Sequence, residues 1–81
     1  MTAFFTDRNN NVMGATLTGL TVRGRRTTAF MNANGRLEDA ERWDNCGRVV
    51  PVKPEHRHLW REIEQHAKPL FEGEAKRRGL L

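Results

Sequence analysis

Four turn signals punctuate residues 1–53, and this punctuation limits what the segment can become. Asp7-Arg8-Asn9-Asn10-Asn11 is a polar run whose Asn and Asp residues tolerate left-handed backbone angles. Arg23-Gly24-Arg25-Arg26 is the second signal. Asn34-Gly35 is the third, and both of its residues accept the positive φ angles of a type I′ hairpin. Asn45-Cys46-Gly47 is the fourth. Turns at this spacing favour short strands joined by hairpins.

The intervals carry strand patterns. Ala3–Thr6 is a first candidate. Residues 15–22 contain β-branched Thr16, Thr18, Thr21 and Val22. Their alternation changes phase in the middle, since Ala15 and Leu17 share one parity and Leu20 and Val22 the other. A β-bulge at Gly19 would return all four to one face. Thr27–Ala33 returns as the partner strand. In residues 36–44, Leu37, Ala40 and Trp43 recur every three positions, which suits a short helical turn, with a further strand as the competitor. Arg48–Lys53 is a short strand, placed at an edge because Pro51 removes a ladder donor.

After Lys53 the period changes. Pro54 suits a first helical turn, and Glu55 suits the positive end of the helix dipole. At 100° per residue Leu59, Ile63, His66, Ala67 and Leu70 fall on one face, with Trp60 and Phe71 on its flank. Leu59, Ile63 and Leu70 are expected to face the sheet. Arg57, Arg61, Glu64 and Lys68 lie opposite, with Glu64 and Lys68 spaced for an i,i+4 pair. Pro69 should kink the helix or start a second one, and Gly79 is a stop signal behind Lys76, Arg77 and Arg78. The expected fold is therefore α+β. It is one domain over residues 1–81, β-rich over 1–53 and helical over 54–79. A small antiparallel β-sheet of three to four strands carries a C-terminal helix packed on one face.

Composition narrows the function classes. The chain has 81 residues, of which 37% are hydrophobic. A domain this short buries only about 60% of its unfolded surface, so one core plus a deep ligand pocket is disfavoured. No cofactor is expected. The start, Met1-Thr2-Ala3-Phe4-Phe5, lacks a basic leader, and no stretch approaches the roughly 20 apolar residues of a membrane span. With a single Cys46, a cytoplasmic protein with no membrane partner is expected. The net charge of +4 is distributed as +4 over residues 1–36, −3 over 37–47 and +3 over 48–81.

Catalytic and metal constellations are weak. Cys46, His56, His58 and His66 lack paired zinc-ligand spacings, so no metal site is expected. His58 and Glu62 could form a base with an orienting carboxylate, but no nucleophile accompanies them. One glycine among Arg23-Gly24-Arg25-Arg26 does not make a phosphate loop. Non-enzymatic binding is the expectation. Arg23, Arg25 and Arg26 cluster on an expected hairpin tip with no acidic residue between Arg8 and Arg36. Arg57, Arg61 and Lys68 stripe the exposed helix face, and Trp43 is a candidate anchor in an acidic segment, with a core cap under the 37–43 turn as its alternative role. These seven residues are the candidate binding site. In length, charge and lack of a catalytic motif the protein resembles the small accessory proteins of bacteriophages and mobile elements, which include anti-CRISPR proteins and polymerase inhibitors. That resemblance implies an inhibitor or modulator acting on a protein or nucleoprotein complex. The alternative is direct, sequence-nonspecific binding of DNA or RNA through the Arg-rich tip and basic helix face.

Overall fold

The computed structural model describes residues 1–80. Five strands form one antiparallel sheet: β1 (Thr2–Thr6), β2 (Val12–Val22), β3 (Arg25–Asn32), β4 (Leu37–Trp43) and β5 (Val49–Val52). Each strand pairs with its sequence neighbours, so the spatial order is β1-β2-β3-β4-β5. A single helix, α1 (Arg57–Arg77), covers one face. The α+β class and the C-terminal helix match expectation, while the strand count exceeds the expected three to four. The extra strand comes from residues 37–43, which extend as β4 rather than coil into a helical turn.

Three of the four hairpins use one device. Asp7, Asn32 and Asp44 each accept, through Oδ1, the backbone N–H groups two and four residues on. Each also accepts, through its carbonyl, the N–H three residues on. That third residue is Asn10, Gly35 or Gly47, and all three have positive φ. Side chain and backbone together satisfy the polar groups of the turn. Only Gly35 of the Asn34-Gly35 pair has positive φ, so this is not the type I′ turn that the dipeptide suggests. That geometry belongs instead to Arg23 and Gly24, with φ of 51° and 74°, between the paired Val22 and Arg25.

The register breaks at three bulges. They lie between Phe5 and Thr6 in the β1–β2 pairing, between Leu17 and Leu20 in β2–β3, and between Phe30 and Met31 in β3–β4. The expected bulge at Gly19 is present, with φ of 80°, and both Leu17 and Leu20 are buried. The third bulge turns Leu37 and Ala40 to the same face although they are three apart. A bulged strand thus mimics helical spacing, which is why the segment resembles a helical turn.

The covered face is read in cross-strand rows. Phe4, Ala15, Met31 and Leu37 form one row, and Leu17, Ala29, Ala40 and Val52 the next. Leu20, Thr27, Arg42 and Val50 form a third. Helix α1 lays Ile63, Ala67, Phe71 and Ala75 on them, with Leu59 and Trp60 half-buried. These steps are four residues, longer than the 3.6-residue turn, so the buried stripe drifts around the helix. The drift brings Phe71 inward and leaves Leu70 51% exposed. The expectation that Leu70 faces the sheet is thereby corrected, as is the placement of His66, which is exposed. The helix starts at Arg57, after a turn over Pro54–His56, and no acidic residue sits in its first turn. It runs through Pro69 without interruption; Gln65, whose carbonyl loses a donor, is exposed to solvent. It ends as expected at Gly79, where Leu80 N–H reaches the Ala75 carbonyl and Gly79 N–H the Lys76 carbonyl.

Candidate functional site: a basic end and an uncovered sheet face

Carboxylates on α1 pin the helix to the sheet, and this pairing decides which arginines remain available. Glu62 accepts from Arg23 Nε at 2.6 Å, across 39 residues of sequence. The Arg-rich tip is therefore answered by a helix carboxylate, and Arg23 is not an unneutralised charge. Glu64 accepts the Leu37 N–H at 2.9 Å and pairs with Arg36, rather than with Lys68 as its spacing suggests. At the other end Glu74 binds Arg77 and Arg78. These two guanidinium partners hold the Glu74 carboxyl down to about 2 from its ordinary 4.5. Arg78 also donates to the Thr2 carbonyl and lies over the Phe4 ring.

The candidate binding residues separate into three places. Arg25, Arg26 and Trp43 meet at one end of the sheet. Arg26 and Trp43 lie on the face away from the helix, with the Arg26 guanidinium 5.6 Å from the Trp43 ring centroid. Arg25 points to the helix side, where it lines a cleft of about 290 Å³ with Arg42, Val50, Val52, His56 and Leu59 that reaches Trp43 and Asp44 at the end of β4. Arg57 and Arg61 flank a second groove beside Arg36 and Glu64. Lys68 is exposed about two helical turns beyond Arg61 and joins neither group.

Arg42 is the residue that sequence reasoning misses. Among four acidic residues it resembles an ordinary surface countercharge. The bulge that brings Leu37 and Ala40 inward also turns Arg42 inward and Trp43 outward. Arg42 donates from Nη2 to the Val22 carbonyl at 3.0 Å, and its Nε is buried without an acceptor. Burial, followed by the nearby Arg25 and Arg23 charges, lowers its pKa, with Glu62 opposing. Neither Arg25 nor Arg42 has an ion-pair partner among the described residues.

The second surface is the sheet face that α1 leaves uncovered. Its rows run Phe5–Gly14–Asn32, Ala3–Thr16–Phe30–Asp39, Thr28–Glu41–Pro51 and Trp43–Val49. Phe5 is 57%, Met13 60% and Trp43 37% exposed, and Phe30 is half-buried. Asp39 and Glu41 place two carboxylates in the same field. Elsewhere, among the described residues, no three His, Cys, Asp or Glu side chains converge, and no helix is long and apolar enough to cross a membrane. No family model, curated protein or solved structure matches this chain.

Proposed function

We propose that this chain is a small non-enzymatic binding protein that inhibits or modulates a nucleic-acid-handling protein complex. The uncovered sheet face docks on protein, and the basic end at Arg25 and Arg26 lies against an acidic surface of the same complex. The observation that carries this reading is the pairing of large apolar side chains with carboxylates on one uncovered face. Phe5, Met13 and Trp43 supply anchors of the kind that dominate protein interfaces. Asp39 and Glu41 repel phosphate from that face and suit a partner of mixed charge.

Direct, sequence-nonspecific binding of DNA or RNA is the second reading. It is favoured by Arg25, Arg57, Arg61 and Lys68, none of which has a carboxylate partner among the described residues. Their dispersal over separate surfaces weakens it. A pull-down from bacterial lysate, with and without nuclease, discriminates the two. Protein capture that survives nuclease and is lost in a Phe5→Ser, Met13→Ser double variant supports the first reading. Capture lost on nuclease treatment supports the second. In that case, replacing Arg25, Arg57 and Arg61 with Gln should lower the log–log salt slope by roughly 3. The serine variants should melt within about 0.5 kcal/mol of the parent, because exposed positions rarely contribute more.

A further inference from the structure

We propose that the cleft at the basic end binds one carboxylate carried beside a large apolar side chain, presented by a peptide segment of the partner protein. This rests on the protein-binding reading above and specifies what the partner must offer.

The cleft holds about 290 Å³, near the lower edge of the roughly 300–1,000 Å³ of small-molecule pockets. That is room for one or two side chains. Its walls are of two kinds. Val50, Val52 and Leu59 form an apolar wall that Trp43 closes at the end of β4, Arg25 and Arg42 supply positive charge, and His56 and Asp44 complete the lining. The neighbouring Arg23 is occupied by Glu62, and Arg48 by Asp44. Arg25 and Arg42 are left with no carboxylate among the described residues. One Arg42 donor is used by the Val22 carbonyl, while its buried Nε has no acceptor. Arg42 is half-buried beside Arg25, and keeping two guanidinium groups together with one Nε shut off from water is unfavourable until an anion completes the set.

The lining selects a carboxylate over a phosphate. A phosphate dianion needs hydration or donors on several sides, whereas Val50, Val52 and Leu59 offer an apolar side and the donors Arg25, Arg42 and His56 leave it bare. Asp44 also lines the cleft and repels a dianion about twice as strongly as a monoanion. A planar carboxylate matches the guanidinium fork, and its stem and apolar neighbour can lie on the wall of Val50, Val52 and Leu59. An Asp or Glu side chain and the free C-terminus of a peptide both present this group, and the experiment separates them.

The full-length protein, labelled with nitrogen-15, is titrated with four probes: N-acetyl-Phe-Glu-amide, N-acetyl-Phe-Gln-amide, N-acetyl-Phe-Leu as the free acid, and phenyl phosphate. The proposal expects saturable shifts at Trp43, Val52 and Leu59 with the Glu probe or the free acid, the tighter of the two naming the source. The Gln probe should bind about tenfold more weakly, because the charge-assisted bonds are lost. Arg42→Met should weaken the carboxylate probe about tenfold. Arg25→Gln should give the same loss at a residue without the Arg42 bond to the Val22 carbonyl, should the first variant unfold. The proposal is overturned if neither carboxylate probe saturates below about 20 mM, if the Gln probe or phenyl phosphate binds as tightly, or if both variants bind like the parent. If the probes fail while the Phe5 and Met13 substitutions still abolish protein capture, the cleft assignment falls and the sheet-face reading stands. If the probes bind at the cleft while no protein is captured, the cleft chemistry stands and the sheet-face reading falls.

Discussion

The two faces of the sheet are built from opposite materials. Beneath α1 the strands contribute Ala15, Ala29 and Ala40, and the helix contributes Ala67 and Ala75. Small residues let the backbones approach closely, and bulk comes from a few side chains such as Leu17, Ile63 and Phe71. The uncovered face carries Phe5, Met13, Phe30, Trp43 and Val49 instead. A protein only 37% hydrophobic thus leaves three of its six aromatic side chains off its core. That distribution matches what fold stability needs on one face and what the proposed binding would need on the other. Apolar anchors lose their value as anchors once they are committed to the core.

The sharpest test of this contrast compares adjacent helix positions. Phe71→Ala removes a side chain that is 2% exposed and packs its ring 5.5 Å from that of Phe4. It should destabilise by about 3–5 kcal/mol in urea unfolding. Leu70→Ala should cost under about 1 kcal/mol, since Leu70 points to solvent. Equal effects would break the assignment of the covered face.

A smaller effect separates two turns of the same design. Gly35 has φ of 76°, and an added Cβ would lie 3.1 Å from the Phe71 ring. Gly47 has φ of 81° and open space around it. Gly47→Ala should cost about 1 kcal/mol from backbone strain alone. Gly35→Ala should cost about 2–3 kcal/mol, because the ring must also give way. Identical midpoints for the two variants would show that the covered face does not extend under the β3–β4 turn.

The smallest effect concerns pH. Arg77 and Arg78 hold the Glu74 carboxyl at about 2 rather than 4.5. A depressed folded-state pKa gives stability that is present above the unfolded value and is lost as pH falls through the folded one. Glu74→Gln should therefore flatten the stability curve between pH of about 4.5 and about 2, with little change in slope at neutrality. An unaltered slope in that window would mean that the pairs of Glu74 with Arg77 and Arg78 add nothing to the stability of the folded state.

The limits of sequence reading are local and physical. The bulge at Gly19 is legible because glycine marks it and the phase of the alternation visibly breaks. The bulge near Leu37 has no such marker, and its three-residue spacing reads as helix. Carrying the phase through that bulge places Arg42 inward and Trp43 outward, so the same misreading hides the most informative residue of the cleft. The shared turn device is also present in the sequence, as Asp7, Asn32 or Asp44 followed three residues later by Asn10, Gly35 or Gly47. The Arg23–Glu62 pair is of another kind. It joins residues 39 apart, and only the packing of the helix brings them together.

The order of elements along the sequence bears on how the protein is made. All strand pairings are between sequence neighbours, so the sheet can assemble hairpin by hairpin as residues leave the ribosome. Its lid, α1, is synthesised only afterwards. Until Phe71 has emerged, the nascent sheet shows water an apolar surface on both sides. A stop codon early in the helix would leave it that way permanently. Such truncated products should partition to chaperones or inclusion bodies, whereas substitutions confined to the uncovered face should leave yield unchanged.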